Sequence, residues 1–97
     1  MANLYSGNFL RMLRNECIID CVISILRLET RYRNKITRFQ CPLCHRFHTA
    51  TNPKTNLGRC FDCKINFNPI DLVMAATQSS FVETVDFLKK HINETTR

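Results

Sequence analysis

Apolar residues recur at helical spacing near the start of the chain. Asn8 can cap a short helix over 9–14 that places Phe9, Met12 and Leu13 on one side. A second helix is expected over 16–25, with Asn15 as its N-cap and Ile18, Ile19, Val22, Ile23 and Leu26 as a core-facing stripe. From Arg27 the period changes. Leu28, Thr30 and Tyr32, then Ile36 and Arg38, alternate with charged or polar neighbours, which predicts two short strands. Asn34 lies between them and is the residue best able to take a left-handed turn conformation.

Residues 46–51 and 57–61 predict a second hairpin, joined by the turn-forming stretch Asn52-Pro53-Lys54-Thr55-Asn56. Gly58 marks a bulge or a close backbone approach. The closing part is helical again. Asn68 is an N-cap, Pro69 occupies the first helical position, and the Asp71 carboxylate favours the helix N-terminus. Ile70, Val73 and Met74 then face the sheet. Ser80 and Glu83 form a capping box, and Phe81, Val85, Leu88 and Ile92 follow on one face. The pattern is that of an α+β fold: a small antiparallel β-sheet over 27–67, flanked by N-terminal helices within 1–26 and C-terminal helices within 68–92, all in one domain, 1–97.

Candidate chemistry is concentrated in the central segment. Cys41-Pro42-Leu43-Cys44 and Cys60-Phe61-Asp62-Cys63 are separated by 15 residues. Thiolates are soft donors that suit Zn²⁺, and each CxxC turn bends two sulfurs towards one point, so two turns complete a closed tetrahedral site. A closed shell leaves no position for substrate, and the metal is expected to be a single structural zinc. Hairpins that hold two such knuckles make a zinc ribbon. A disulfide framework and thiol–disulfide exchange are the alternatives, and both fit paired CxxC turns at ribbon spacing less well. Cys17 and Cys21, one helical turn apart without further ligands nearby, are expected to be small core residues.

Composition narrows the setting. A chain of 97 residues with 44% hydrophobic content builds a modest core that benefits from a staple. Structural zinc supplies roughly 10–16 kcal/mol of apparent binding energy in zinc-finger peptides. No secretory pattern or membrane-length apolar run is present, and the cytoplasm is the expected compartment, where CxxC pairs bind metal more often than they form disulfides. The formal net charge is +6. Four thiolates on one Zn²⁺ subtract two, leaving about +4, still basic enough to suit a polyanion.

These residues resemble the zinc-binding domain of bacterial replicative DNA primases. Phe9-Leu10 with Leu13, then Ile18-Ile19-Asp20 and Val22-Ile23, look like that domain's opening helices, and residues 27–35 look like its basic hairpin, with Asn34 near the family's turn glycine. Cys41-Pro42 and Cys60-Phe61-Asp62-Cys63 match its two knuckles, and Phe81-Val82-Glu83-Thr84-Val85 its closing helix. The likeness covers residues 9–91. It departs at Cys44, which stands in the family's histidine place and makes the ligand set, Cys41, Cys44, Cys60 and Cys63, look like the four-cysteine site of phage-type primase-helicases. The glycines around the family's second knuckle are missing, and its lysine-threonine-proline segment has no counterpart within 46–52. His45 and His48 are left spare.

The resemblance implies a single-stranded DNA template-binding module that serves a primase or replication complex in trans, encoded separately on a mobile element or phage-like genome. The family's clustered catalytic carboxylates have no counterpart, so no enzymatic activity and no small-molecule substrate are expected. Arg31, Arg33, Lys35 and Arg38 on one hairpin, and Arg46, Lys54, Arg59 and Lys64 around the other, can follow a phosphate backbone. Phe39 and Phe47 are the expected stacking surfaces, with Tyr32 a further candidate, whereas Phe61 is expected to pack beside the zinc. The alternative is a protein-interaction ribbon that docks on a polymerase, helicase or transcription complex without touching DNA.

Overall fold

The structure, a computed structural model, describes residues 7, 11 and 17–95, with side chains as far as His91. The helix expected over 9–14 and the Asn15 cap lie outside the described residues, apart from Arg11, which is helical and exposed.

Helix α1 (Ile19–Ile25) starts later than the sequence pattern suggests, because Ile18 already has extended backbone and no capping side chain of its own. The cap comes from far along the chain. Asn56 Oδ1 accepts from the Ile19 N–H at 2.7 Å, and Asn56 Nδ2 donates to the Cys17 carbonyl at 2.8 Å. The first amides of a helix have no intrahelical partner, so this one side chain satisfies a helix end and ties it to the second hairpin. Ile19, Val22 and Ile23 are buried, as their spacing predicts. Ile18 is exposed. Cys17 is buried but Cys21 faces solvent, which corrects the reading of both as core residues.

Strands β1 (Thr30–Arg33) and β2 (Ile36–Phe39) form the first hairpin. Its two-residue loop has Asn34 at φ 55° and Lys35 at φ 64°, both left-handed, as a type I′ turn requires. Strands β3 (Thr49–Asn52), β4 (Leu57–Cys60) and β5 (Ile65–Phe67) form an antiparallel sheet in that order. The third strand was not legible in the sequence, since three residues hold too little alternation to stand out. Gly58 makes no bulge, its register being regular on both sides. It does allow a close approach: a Cβ there would lie 3.0 Å from both Cε1 and Cζ of Phe39.

The two sheets meet through Thr49. The Gln40 N–H donates to the Glu29 carbonyl at 2.9 Å, and hydrogen-bonded pairs alternate along an antiparallel ladder, so the Phe39 N–H and C=O point away from β1. The buried Thr49 hydroxyl takes both, accepting from the Phe39 N–H at 2.8 Å and donating to its carbonyl at 2.7 Å.

Helix α2 (Pro69–Thr77) begins as expected, with Asn68 Oδ1 accepting from the Asp71 N–H at 2.8 Å. It stops at Gln78, whose N–H still donates to the Met74 carbonyl four residues back while its left-handed conformation (φ 57°) turns the chain out of the helix. Helix α3 (Phe81–Thr95) opens with the capping box. The Ser80 N–H donates to Glu83 Oε1 at 2.9 Å and the Glu83 N–H to Ser80 Oγ at 3.2 Å, and these contacts hold the Glu83 carboxyl below its ordinary pKa. Ile70, Leu72 and Val73 of α2, with Val85 and Leu88 of α3, join Ile19, Val22, Ile23, Phe39 and Phe67 in one core. The architecture is α+β, two small antiparallel sheets with helices on either side in sequence, compatible with a zinc ribbon.

Candidate metal centre

Each CxxC segment turns a backbone amide onto its first sulfur. The Leu43 N–H points at Cys41 Sγ and the Cys63 N–H at Cys60 Sγ, each at 3.4 Å. In the first knuckle the His45 N–H also donates to the Cys41 carbonyl at 2.8 Å. The residue after each second cysteine is left-handed: His45 at φ 64° and Lys64 at φ 58°. Glycine takes this conformation without strain, and neither knuckle has one. The hairpins bring the turns together, since Cys41 follows β2 closely while Cys60 ends β4 opposite both Thr49 and Ile65.

The four sulfurs lie within 4.8 Å of one another. Cys41 Sγ is 3.9 Å from Cys63 Sγ, and Cys44 Sγ is 3.6 Å from Cys60 Sγ. Tetrahedral zinc with Zn–S bonds of about 2.3 Å sets its sulfurs about 3.8 Å apart, so the cluster fits one zinc ion with no histidine in the shell. His48 is turned to the second knuckle instead: its Nδ1 is 3.3 Å from Asp62 Oδ1 and its ring centroid 5.1 Å from that of Phe61.

Crowding separates the thiols electrostatically. Burial and the neighbouring sulfurs push Cys63 up to about 12, and burial chiefly raises Cys41. Burial also opposes ionisation of Cys60, but the Cys63 amide and the three other sulfurs outweigh it and lower its pKa. A divalent cation favours the thiolate at all four positions, so binding releases protons. One zinc held by all four sulfurs would have its tetrahedral positions filled and would tie the two knuckles together.

The surface residues divide into three places. Arg31 and Arg33 are exposed on β1, with Lys35 in the turn and Arg38 on β2. The Arg31 guanidinium lies 3.8 Å above the centre of the half-buried Phe47 ring, and Arg38 Nη1 donates to the Thr49 carbonyl at 2.9 Å. Arg46, exposed, precedes Phe47 in the chain. On the three-stranded sheet, Arg59 Nη1 donates to Asn66 Oδ1 at 3.2 Å and the guanidinium sits 5.6 Å from the Phe61 ring centre. Phe61, Arg59, Asn66, Ala50, Asn52 and Leu57 line a groove of about 460 Å³. Lys64 is exposed on the second knuckle. Lys54 is exposed in the β3–β4 loop, at the end of that hairpin away from the cysteines.

Two phenylalanines differ from expectation in their burial. Phe39 is 0% exposed, because its ring fills the space above Gly58 beside Ile19, and it cannot stack on a base. Phe61, expected against the zinc, is 41% exposed. Thr49 and Asn66, which orient arginines, have no signal in the sequence, where neither belongs to a turn, cap or ligand motif.

No protein-family model, curated protein or solved structure matches the chain.

Proposed function

We propose that this zinc-binding module binds single-stranded DNA and acts, without catalysing a reaction itself, in trans with a primase, polymerase or helicase of a replication complex in the cytoplasm. The observation that carries the reading is the β1–β2 hairpin. All four residues of β1 are exposed, Arg31 and Arg33 among them, and Arg31 lies against an aromatic ring beside the first knuckle. Cations presented this way follow a phosphate backbone, and the exposed ring of Phe61 beside its groove offers a base a face on which to stack, worth roughly 1–3 kcal/mol. The likeness of the cysteine spacing and flanking helices to primase zinc-binding domains supports the same reading.

Neutralising about four phosphates gives a slope of log K against log salt near −3, from roughly −0.7 per phosphate for single strands. Anisotropy titration of a labelled oligothymidylate against salt measures it. No affinity at low salt overturns the proposal.

One observation favours protein docking instead: Leu43 on the first knuckle is 50% exposed, and Phe61 and Ile65 are also exposed around the second. Substituting Leu43 with serine separates the two readings. It leaves DNA affinity unchanged on the first and abolishes partner binding on the second.

A further inference from the structure

Arg31 and Arg38 stand directly opposite each other in the β1–β2 register, so their side chains leave the same face of the ribbon. The Gln40–Glu29 bond fixes the alternation and makes 31–38 a hydrogen-bonded pair, with Cα atoms about 5.5 Å apart. Like charges directly opposite destabilise a sheet. Yet no carboxylate pairs with either guanidinium among the described residues. Both are drawn to one neighbouring segment instead, Arg31 onto the Phe47 ring and Arg38 onto the Thr49 carbonyl. An aromatic face and a carbonyl orient a guanidinium without neutralising its charge. Arg33, two residues from Arg31, adds a third cation to the same face.

What two oriented guanidiniums at strand spacing lack is an anion with several acceptor oxygens. Phosphate has them, and matches the planar arginine fork in paired hydrogen bonds. We infer that Arg31 and Arg38 clamp one phosphate group between them, a phosphodiester of the bound strand, and that Phe47 is a positioning residue that holds Arg31 in place. The identity of the phosphate as part of a DNA strand rests on the proposed function; the anion site rests on the arginine pair itself. One face of Phe47 is therefore already covered by Arg31.

The test uses the zinc-loaded full chain and a labelled oligothymidylate, with Arg31→Ala, Arg38→Ala, the double variant, and Lys90→Ala as a charge control on α3. Because both arginines hold the same phosphate, each single substitution lowers affinity about tenfold and the double variant only slightly more. All three reduce the salt slope by about 0.7, the share of one phosphate. Phe47→Leu weakens binding in the wild-type background but adds nothing to Arg31→Ala, while Phe47→Tyr retains affinity. Multiplying losses with twice the slope change mean two separate phosphates and overturn the clamp, as does wild-type affinity in the single variants. A second arm follows the arginine Nε–H resonances during titration with inorganic phosphate. Saturable shifts of Arg31 that vanish in Arg38→Ala, without any oligonucleotide binding, uphold the clamp and overturn the DNA reading. Oligonucleotide binding that ignores both arginines, with no phosphate-induced shift, overturns the clamp and leaves the DNA reading standing.

Discussion

Thr49 and Thr84 are both 0% exposed, and the same substitution has opposite consequences at each. Thr49 satisfies two main-chain groups of Phe39 that the hairpin leaves unpaired, so Thr49→Val buries an orphan N–H and C=O and costs about 2–4 kcal/mol. The Thr84 hydroxyl has no partner among the described residues, so Thr84→Val removes a desolvated polar group of the same shape and is neutral or stabilises by about 1 kcal/mol. Chemical denaturation of the zinc-loaded variants measures both. The sequence shows two threonines and no difference between them. It does show the cysteines, because ligand chemistry depends on residue type and local spacing. Burial of a phenylalanine does not, and the sequence pattern therefore points the wrong way at both Phe39, which is buried, and Phe61, which is exposed.

The elements divide in the same way. The Asn34 turn, the Asn68 cap and the Ser80–Glu83 box were all legible, because each is closed by residues within four positions of one another. The start of α1 was not, since its cap is Asn56, 37 residues beyond Ile19. Gly58 lies between these cases: its presence in a strand signals crowding, but only the packed structure shows that the crowding group is Phe39. Gly58→Ala places a methyl group against that ring, which is itself confined by the core. The expected loss is about 1–3 kcal/mol, read from the midpoint of chemical unfolding. A second substitution that shrinks the ring, Phe39→Leu, recovers part of it only if these two groups are the ones in conflict.

At the scale of the whole molecule, the metal site and the basic face are coupled by connectivity. The first knuckle lies between β2, which carries Arg38, and the 47–49 segment, which holds Arg31 and Arg38 in place. The second knuckle joins β4 to β5 and carries Phe61. Loss of the metal therefore releases both halves of the candidate DNA surface together, and chelation is expected to abolish oligonucleotide binding along with the fold. No helix among the described residues is long and apolar enough to cross a membrane. The most direct measurement is zinc content combined with X-ray absorption at the zinc edge. One zinc per chain with four sulfur neighbours at about 2.3 Å is the expected result. A nitrogen or oxygen ligand in that shell, or a chain that keeps its fold with four free thiols and no metal, contradicts it.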